Sequence, residues 1–331
     1  MDTQIRIRTT NPDGTAADVT SLCKRIVWSG DYRNAARTLM FSPVFSPDTA
    51  ALPAAPTELG GSVRFSVEDK TLMDAWSLVR VRDSLGTSID VTAYDRGVYL
   101  TRNSATLQAA GQTPEALTAA LCAEYGIQAG AIAETGVKIR RNFVGVSLYR
   151  IIMTLYTLAA ETTGEKYAVR FEGEKLSIVK IARTDETILL TPGSNILSLT
   201  AREDASRIIN SVAIYGDYTR QALYDDAESV ALYGLMQQAV KLSAEEDAAS
   251  YAGRILRENG LKTTITASCI GNLKLVTGNT AAVREPVTNT FGLFWIVSDT
   301  HTWERGVYTT KVTLSLEALM DSQSAGAIPK E

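Results

Sequence analysis

Apolar residues recur at every second position over long stretches near both ends of this chain, which commits most of it to half-buried β-strands. Ile5 and Ile7 alternate with polar neighbours before the turn residues Asn11-Pro12-Asp13-Gly14, and Val63, Phe65 and Val67 repeat the pattern. Further strands are expected over 76–82 and 89–94. Between them, residues 42–61 carry four prolines and little periodicity, which reads as an exposed loop within a domain. A small β-barrel or sandwich would bury the apolar faces of these strands.

A helical period takes over in the middle. Thr113 can cap a helix with Pro114 at its first position; Leu117, Ala120, Leu121 and Tyr125 share a face, and Gly126 can end it. Ser147 opens a second helix that presents Leu148, Ile151, Ile152, Leu155 and Ala159 before Gly164. Tyr167, Val169 and Phe171 then alternate, Glu172-Gly173-Glu174 turns, and Leu176 and Ile178 return as the second arm of a hairpin.

The last third returns to strands. They are expected over 208–215, 262–270, 273–279 with its turn, 291–299 and 307–316, where Tyr308, Thr310, Val312, Leu314 and Leu316 share one face. Among them Ser243-Ala244-Glu245-Glu246 forms a capping box for a helix over 244–259. The small polar residues 322–331 are expected to fray. A chain of 331 residues exceeds one ordinary core, and three segments follow: 1–104 β, 105–187 α+β, and 188–331 β with a helix.

Composition removes several function classes. The 33 basic and 37 acidic residues are mixed along the chain and leave a formal charge of −4, without the basic stripe that nucleic acid requires. No run approaches the roughly 18 apolar residues of a membrane span, and Asp2 and alternating arginines stand where an export signal would need an apolar stretch. Cys23, Cys122 and Cys269 are odd in number and far apart, as expected of reduced thiols in a cytoplasmic product.

Catalytic signatures are missing from the expected places. His301 is the one histidine, too few for the usual zinc sites, and reads as a turn residue beside Asp299 and Trp303. Gly145-Val146-Ser147 lacks the second glycine of a nucleophile elbow, and no phosphate-cradling loop occurs. Paired carboxylates could still form a glycosidase site, with Asp225-Asp226 and Glu245-Glu246-Asp247 as candidates; the second cluster equally suits the first turn of a helix. Tyr149, Tyr156 and Tyr167 could stack a sugar but fit core positions better. No cofactor and no metal are expected.

Several segments, in order, carry a resemblance. They are AYDRGVYLTRN at 93–103, the helix ending AEYGI at 123–127, and SLYRIIMTLYTLAAETTGEKYAVRFEGEKLSIV at 147–179. SRIINSVAIYGD at 206–217, LYGLMQQAVKL and the following helix at 232–260, and FGLFWIVSDTHTWERGVYTTKVTLSLE at 291–317 complete the set. Together they resemble the XkdQ-like or YqbQ-like baseplate hub family of contractile phage tails and phage-derived bacteriocins. The likeness covers most of the chain from about residue 90; before that it is mainly β-richness.

The resemblance implies an α+β, mainly β protein: two tail-tube-like β-barrel domains separated by a small α+β domain, with a helical insert in the C-terminal barrel. It implies a homotrimer, assembled in the bacterial cytoplasm and then part of a tail or tail-like particle. Its partners would be the tail tube protein, a central spike protein, and the tape-measure and other inner baseplate proteins, without nucleic-acid specificity or membrane insertion. Three chains with two similar barrels each would let a threefold particle meet a sixfold tube. Thr309, Lys311, Thr313 and Ser315 would then face a lumen, although alternation alone also fits an ordinary solvated face. The alternative is a cell-wall-degrading or carbohydrate-binding tail-tip protein.

Overall fold

Strands begin at residue 5, as the alternation requires, in a computed structural model that describes residues 4–45, 54–68, 70–84, 86–184, 187–242 and 247–329. The first seven are β1 (Ile5–Thr10), β2 (Ala16–Asp18), β3 (Cys23–Asp31), β4 (Thr38–Pro43), β5 (Ser62–Val67), β6 (Lys70–Arg82) and β7 (Ile89–Asp95). Of the proline-rich loop, residues 46–53 lie outside the described residues. Its end is packed, not exposed: Thr57 is buried and its carbonyl accepts from Arg80.

Next come α1 (Gly97–Arg102), β8 (Ser104–Gln112), α2 (Pro114–Glu124), β9 (Gln128–Ile132), β10 (Ile139–Ser147), α3 (Leu148–Thr163), β11 (Tyr167–Glu172) and β12 (Lys175–Lys180). Both helices start where their caps predict. Thr113 Oγ1 accepts from the Ala116 N–H and Ser147 Oγ from the Arg150 N–H, each at 3.4 Å, and Gly164 ends α3 at φ +73°. β11 and β12 form the expected antiparallel hairpin, and β9 adds to it in parallel. The α3 residues Leu148, Ile151, Ile152, Leu155 and Tyr156 are at most 1% exposed and form the centre of this core.

Strands β13 (Ile188–Leu190) and β14 (Ile196–Asp204) lead to β15 (Ser211–Gly216), β16 (Thr219–Asp225), α4 (Ala227–Tyr233), β17 (Gln237–Lys241) and α5 (Ala248–Glu258). The chain then returns through β18 (Lys262–Ile270), β19 (Thr280–Glu285), β20 (Thr290–Glu304) and β21 (Val307–Ser315). Residues 273–279, expected as a strand, are turns. By compactness the chain divides into Met1–Leu199 with Thr266–Glu331, and Thr200–Ile265. The smaller unit holds the sheet β16-β15-β17, with Ala252 and Ile255 of α5 packed with Val212 and Ile214. Asp247 caps α5 by accepting from the Ser250 N–H at 2.8 Å, whereas the expected capping-box residues 243–246 lie outside the described residues.

Two tail-tube-like β-barrels are not what this chain forms. A single sheet runs β14-β18-β21-β20-β3-β4-β7-β6-β5-β1-β2, with β19 also on β20 and β13 on β19, and among the described residues its path does not close. The reason lies in the length of β20. Its first part, Thr290 to Trp295, pairs with β19, and its second, Ser298 to Glu304, pairs antiparallel with β3. Strands expected to close separately at the two ends of the chain are thereby joined edge to edge, which satisfies their backbone groups without either set curling on itself. Under the sheet, Ile7, Trp28, Leu39, Phe41, Phe65, Val91 and Trp303 form one apolar cluster.

The tail expected to fray is strapped down up to residue 327. Lys166 Nζ donates to the Ala318 carbonyl at 2.6 Å, Tyr149 Oη to Asp321 at 2.7 Å and Arg141 Nε to the Ala325 carbonyl at 2.8 Å. Asn142 and Ala327 exchange both backbone hydrogen bonds. Ala325 is buried and Met320 packs against the α3 core.

Candidate functional site

Alternation along β21 sends Thr310, Val312 and Leu314 into the core and places Thr309, Lys311, Thr313 and Ser315 on the opposite face. Strand register extends that face sideways. Thr309 lies opposite Thr302, then follow Val27, Met40, Thr92 and Val79 on β3, β4, β7 and β6. The next row runs Lys311, Thr300, Ser29, Thr38, Tyr94 and Trp76. Hydroxyl groups bridge neighbouring strands, Ser29 to Thr38 and Ser298 to Thr313, both at 2.8 Å. The four residues singled out in β21 are therefore one edge of a broad face lined by Ser and Thr, with Met40 and Val79 exposed among them. Hydroxyls both donate and accept and carry no charge, so they suit a hydrated surface. Each strand's alternation was visible in the sequence; the lateral order that joins the rows was not.

The opposite side of the same strands carries buried charge. Arg37 donates to both Asp299 oxygens, at 3.0 and 2.5 Å, and its guanidinium lies 3.9 Å from the Trp28 ring centroid. Thr277, from the turns before β19, donates its N–H and hydroxyl to Asp299 at 2.7 and 2.6 Å. Burial pushes the Asp299 carboxyl up, but Arg37 and His301 outweigh it and hold it well below the usual carboxylate range. His301 is not a turn residue. It sits fully buried within β20, three residues before its end, its Nε2 3.3 Å from Asp299 and its Nδ1 2.8 Å from the Tyr308 hydroxyl and 3.2 Å from that of Thr310. The rings of Trp28 and Trp303 neighbour it, with centroids at 5.1 and 6.1 Å. With Asp299 1% exposed and its oxygens already engaged, the arrangement clamps β20, β3 and the 272–279 turns together. Arg37 and Thr277 were missed in the sequence, since neither sits in a motif.

A second buried carboxylate, Asp95, accepts from the N–H groups of Arg37 and Gly97. Burial dominates there and raises it to about 6. The carboxylate candidates do not converge. Asp226 caps α4 by accepting from the Ser229 N–H at 3.1 Å, Asp225 is exposed at the end of β16, Asp247 caps α5, and Glu245 and Glu246 lie outside the described residues. Tyr149, Tyr156 and Tyr167 are all buried, and the last two pack with centroids 4.9 Å apart, so they offer no stacking platform. Cys23, Cys122 and Cys269 are free thiols; burial pushes Cys23 up to about 12 and Cys269 to about 11. Among the described residues no group of three or more His, Cys, Asp or Glu could hold a metal ion, and no helix is long and apolar enough to cross a membrane.

A family model described as YQBQ-like matches residues 26–315. No curated protein sequence matches the chain. Its fold is similar to that of the 43 kDa tail protein of prophage MuSo2 from Shewanella oneidensis, with a TM-score of 0.68 and 11% identity over 94% of this chain and 98% of that one. A tail protein from Neisseria meningitidis gives a TM-score of 0.65 and 13% identity over 97% and 99%. An Escherichia coli component of the type VI secretion system gives 0.53 and 13% over 93% and 76%.

Proposed function

The chain belongs to the YQBQ-like family, and on that premise we propose that it is a structural, non-enzymatic hub of a contractile tail baseplate. In this reading it assembles as a homotrimer between the tail tube and the central spike, with the tape-measure and other inner baseplate proteins as neighbours. It would be made in the bacterial cytoplasm and carried in a phage, bacteriocin or injection particle. The observation that carries the reading is that nearly the whole chain, and no single motif, shares its fold with tail proteins that it spans almost end to end.

The broad face of β21, β20 and β3, with hydroxyls at Thr309, Thr313, Thr302, Thr300 and Ser29 and the charges of Arg25 and Glu304 paired with each other, supports a lumen-facing role for Thr309, Lys311, Thr313 and Ser315. The match between threefold and sixfold symmetry cannot rest on paired barrels, since one sheet joins both ends of the chain. Native mass spectrometry of the purified chain, alone and with its spike protein, tests the assembly. Three copies are expected; monomers under both conditions would overturn it.

A further inference from the structure

At its β1, β5 and β6 end, the outer face of the large sheet opens into a concavity of about 550 Å³, within the roughly 300–1,000 Å³ range of binding clefts. Register builds its floor. Arg8 lies opposite Arg64 and Arg64 opposite Asp74, while Thr10, Ser62 and Trp76 form the adjoining row. Arg96 enters from the chain after β7, with its guanidinium 5.7 Å from the Trp76 ring centroid, and pairs with Glu174. Arg64 pairs with Asp74 at 2.7 Å. Two carboxylates thus meet three guanidiniums, and Arg8, which is exposed, forms no ion pair among the described residues. An unpaired guanidinium in a cleft that also holds the Trp76 ring suits a carboxylate followed by apolar side chains.

The smaller unit carries that chemistry. Asp225, Asp226 and Glu228 are exposed, and the uninterrupted exposed run 231–237 contains Leu232 at 73%, Leu235 at 62% and Met236 at 47%. Asp226 is occupied as a cap, which leaves Asp225 and Glu228 free to pair. Two unlike patches on one chain that complement each other make a head-to-tail contact, the kind that closes into a ring. We infer that the Arg8 cleft of one copy takes the acidic and apolar segment 225–236 of a neighbouring copy. This rests on the homotrimer reading and names one of its interfaces.

The test is charge reversal in the full chain, read by native mass spectrometry. If the wild-type chain is trimeric, Arg8→Glu should lower trimer stability at least tenfold, and adding Asp225→Arg and Glu228→Arg should restore it. A trimer indifferent to Arg8→Glu, or a loss without rescue, would sink the inference and leave the trimer standing. If the wild-type chain is monomeric, the trimer reading is what fails, and a labelled peptide of residues 223–236 decides the interface by fluorescence anisotropy. Binding weakened at least tenfold by Arg8→Glu and by 0.5 M salt supports it; equal binding of a charge-reversed peptide overturns it.

Discussion

The guanidinium of Arg37 lies where a side chain at Gly30 would have to go. Because β3 is bare at that point, Arg37 reaches across it to Asp299 on β20, 262 residues away in sequence. The glycine is required by this close approach, since its backbone is not in the left-handed region.

A methyl group at Gly30 should therefore act through Arg37. Gly30→Ala is expected to cost about 3 kcal/mol, the range for stranding one member of a buried ion pair. Arg37→Ala should cost a similar amount, and the double variant little more than either alone. Urea unfolding of the four proteins measures the coupling; additive costs would show that the two residues act separately.

Acid stability should show two separate contributions. Asp95 is raised from its ordinary 3.8 to about 6, so it takes up a proton on folding; its contribution is complete below 3.8 and is lost as pH rises through 6. Asp299 is depressed, so its contribution is present above 3.8 and is lost as pH falls below that value. Asp95→Asn should flatten the stability profile between pH 3.8 and 6, and Asp299→Asn below it, in thermal melts across that range.

Release of the tail should be visible to proteases. Gly326 has φ +72° and packs against the Asn142 carbonyl, so an alanine there meets both backbone strain and a collision. The strain alone is worth about 1–2 kcal/mol. Gly326→Ala is expected to open the strap and expose 318–327 to limited proteolysis, with the sheet intact by circular dichroism; an unchanged digestion pattern would refute the strap's dependence on this residue.

The sequence was informative wherever one short-range rule decided the outcome. Period two located β1, β5 and β21, and Thr113, Pro114, Ser147 and Gly164 bounded α2 and α3. β8 and β9 went unread because SATLQAAGQ and QAGAI carry small residues that scarcely alternate in polarity. The stretch around His301 looked like a turn because its residues are polar, yet Asp299 and His301 point inward, and the partner that makes this possible comes from Arg37. The tail lacked any apolar period because side chains of Arg141 and Lys166 hold its carbonyls. The pairing of β20 with β3, which replaces two barrels by one sheet, depends on relative strand placement that no local pattern encodes. Of the candidate site, the β21 face was readable in advance; its extension over five further strands was not.

The fifteen-residue span of β20 has a kinetic corollary. The early strands gain their lateral neighbour only once nearly the entire polypeptide has left the ribosome, so contacts of very high sequence separation gate maturation and slow it. A chain interrupted during synthesis lacks the seam between its early and late strands and cannot complete the sheet.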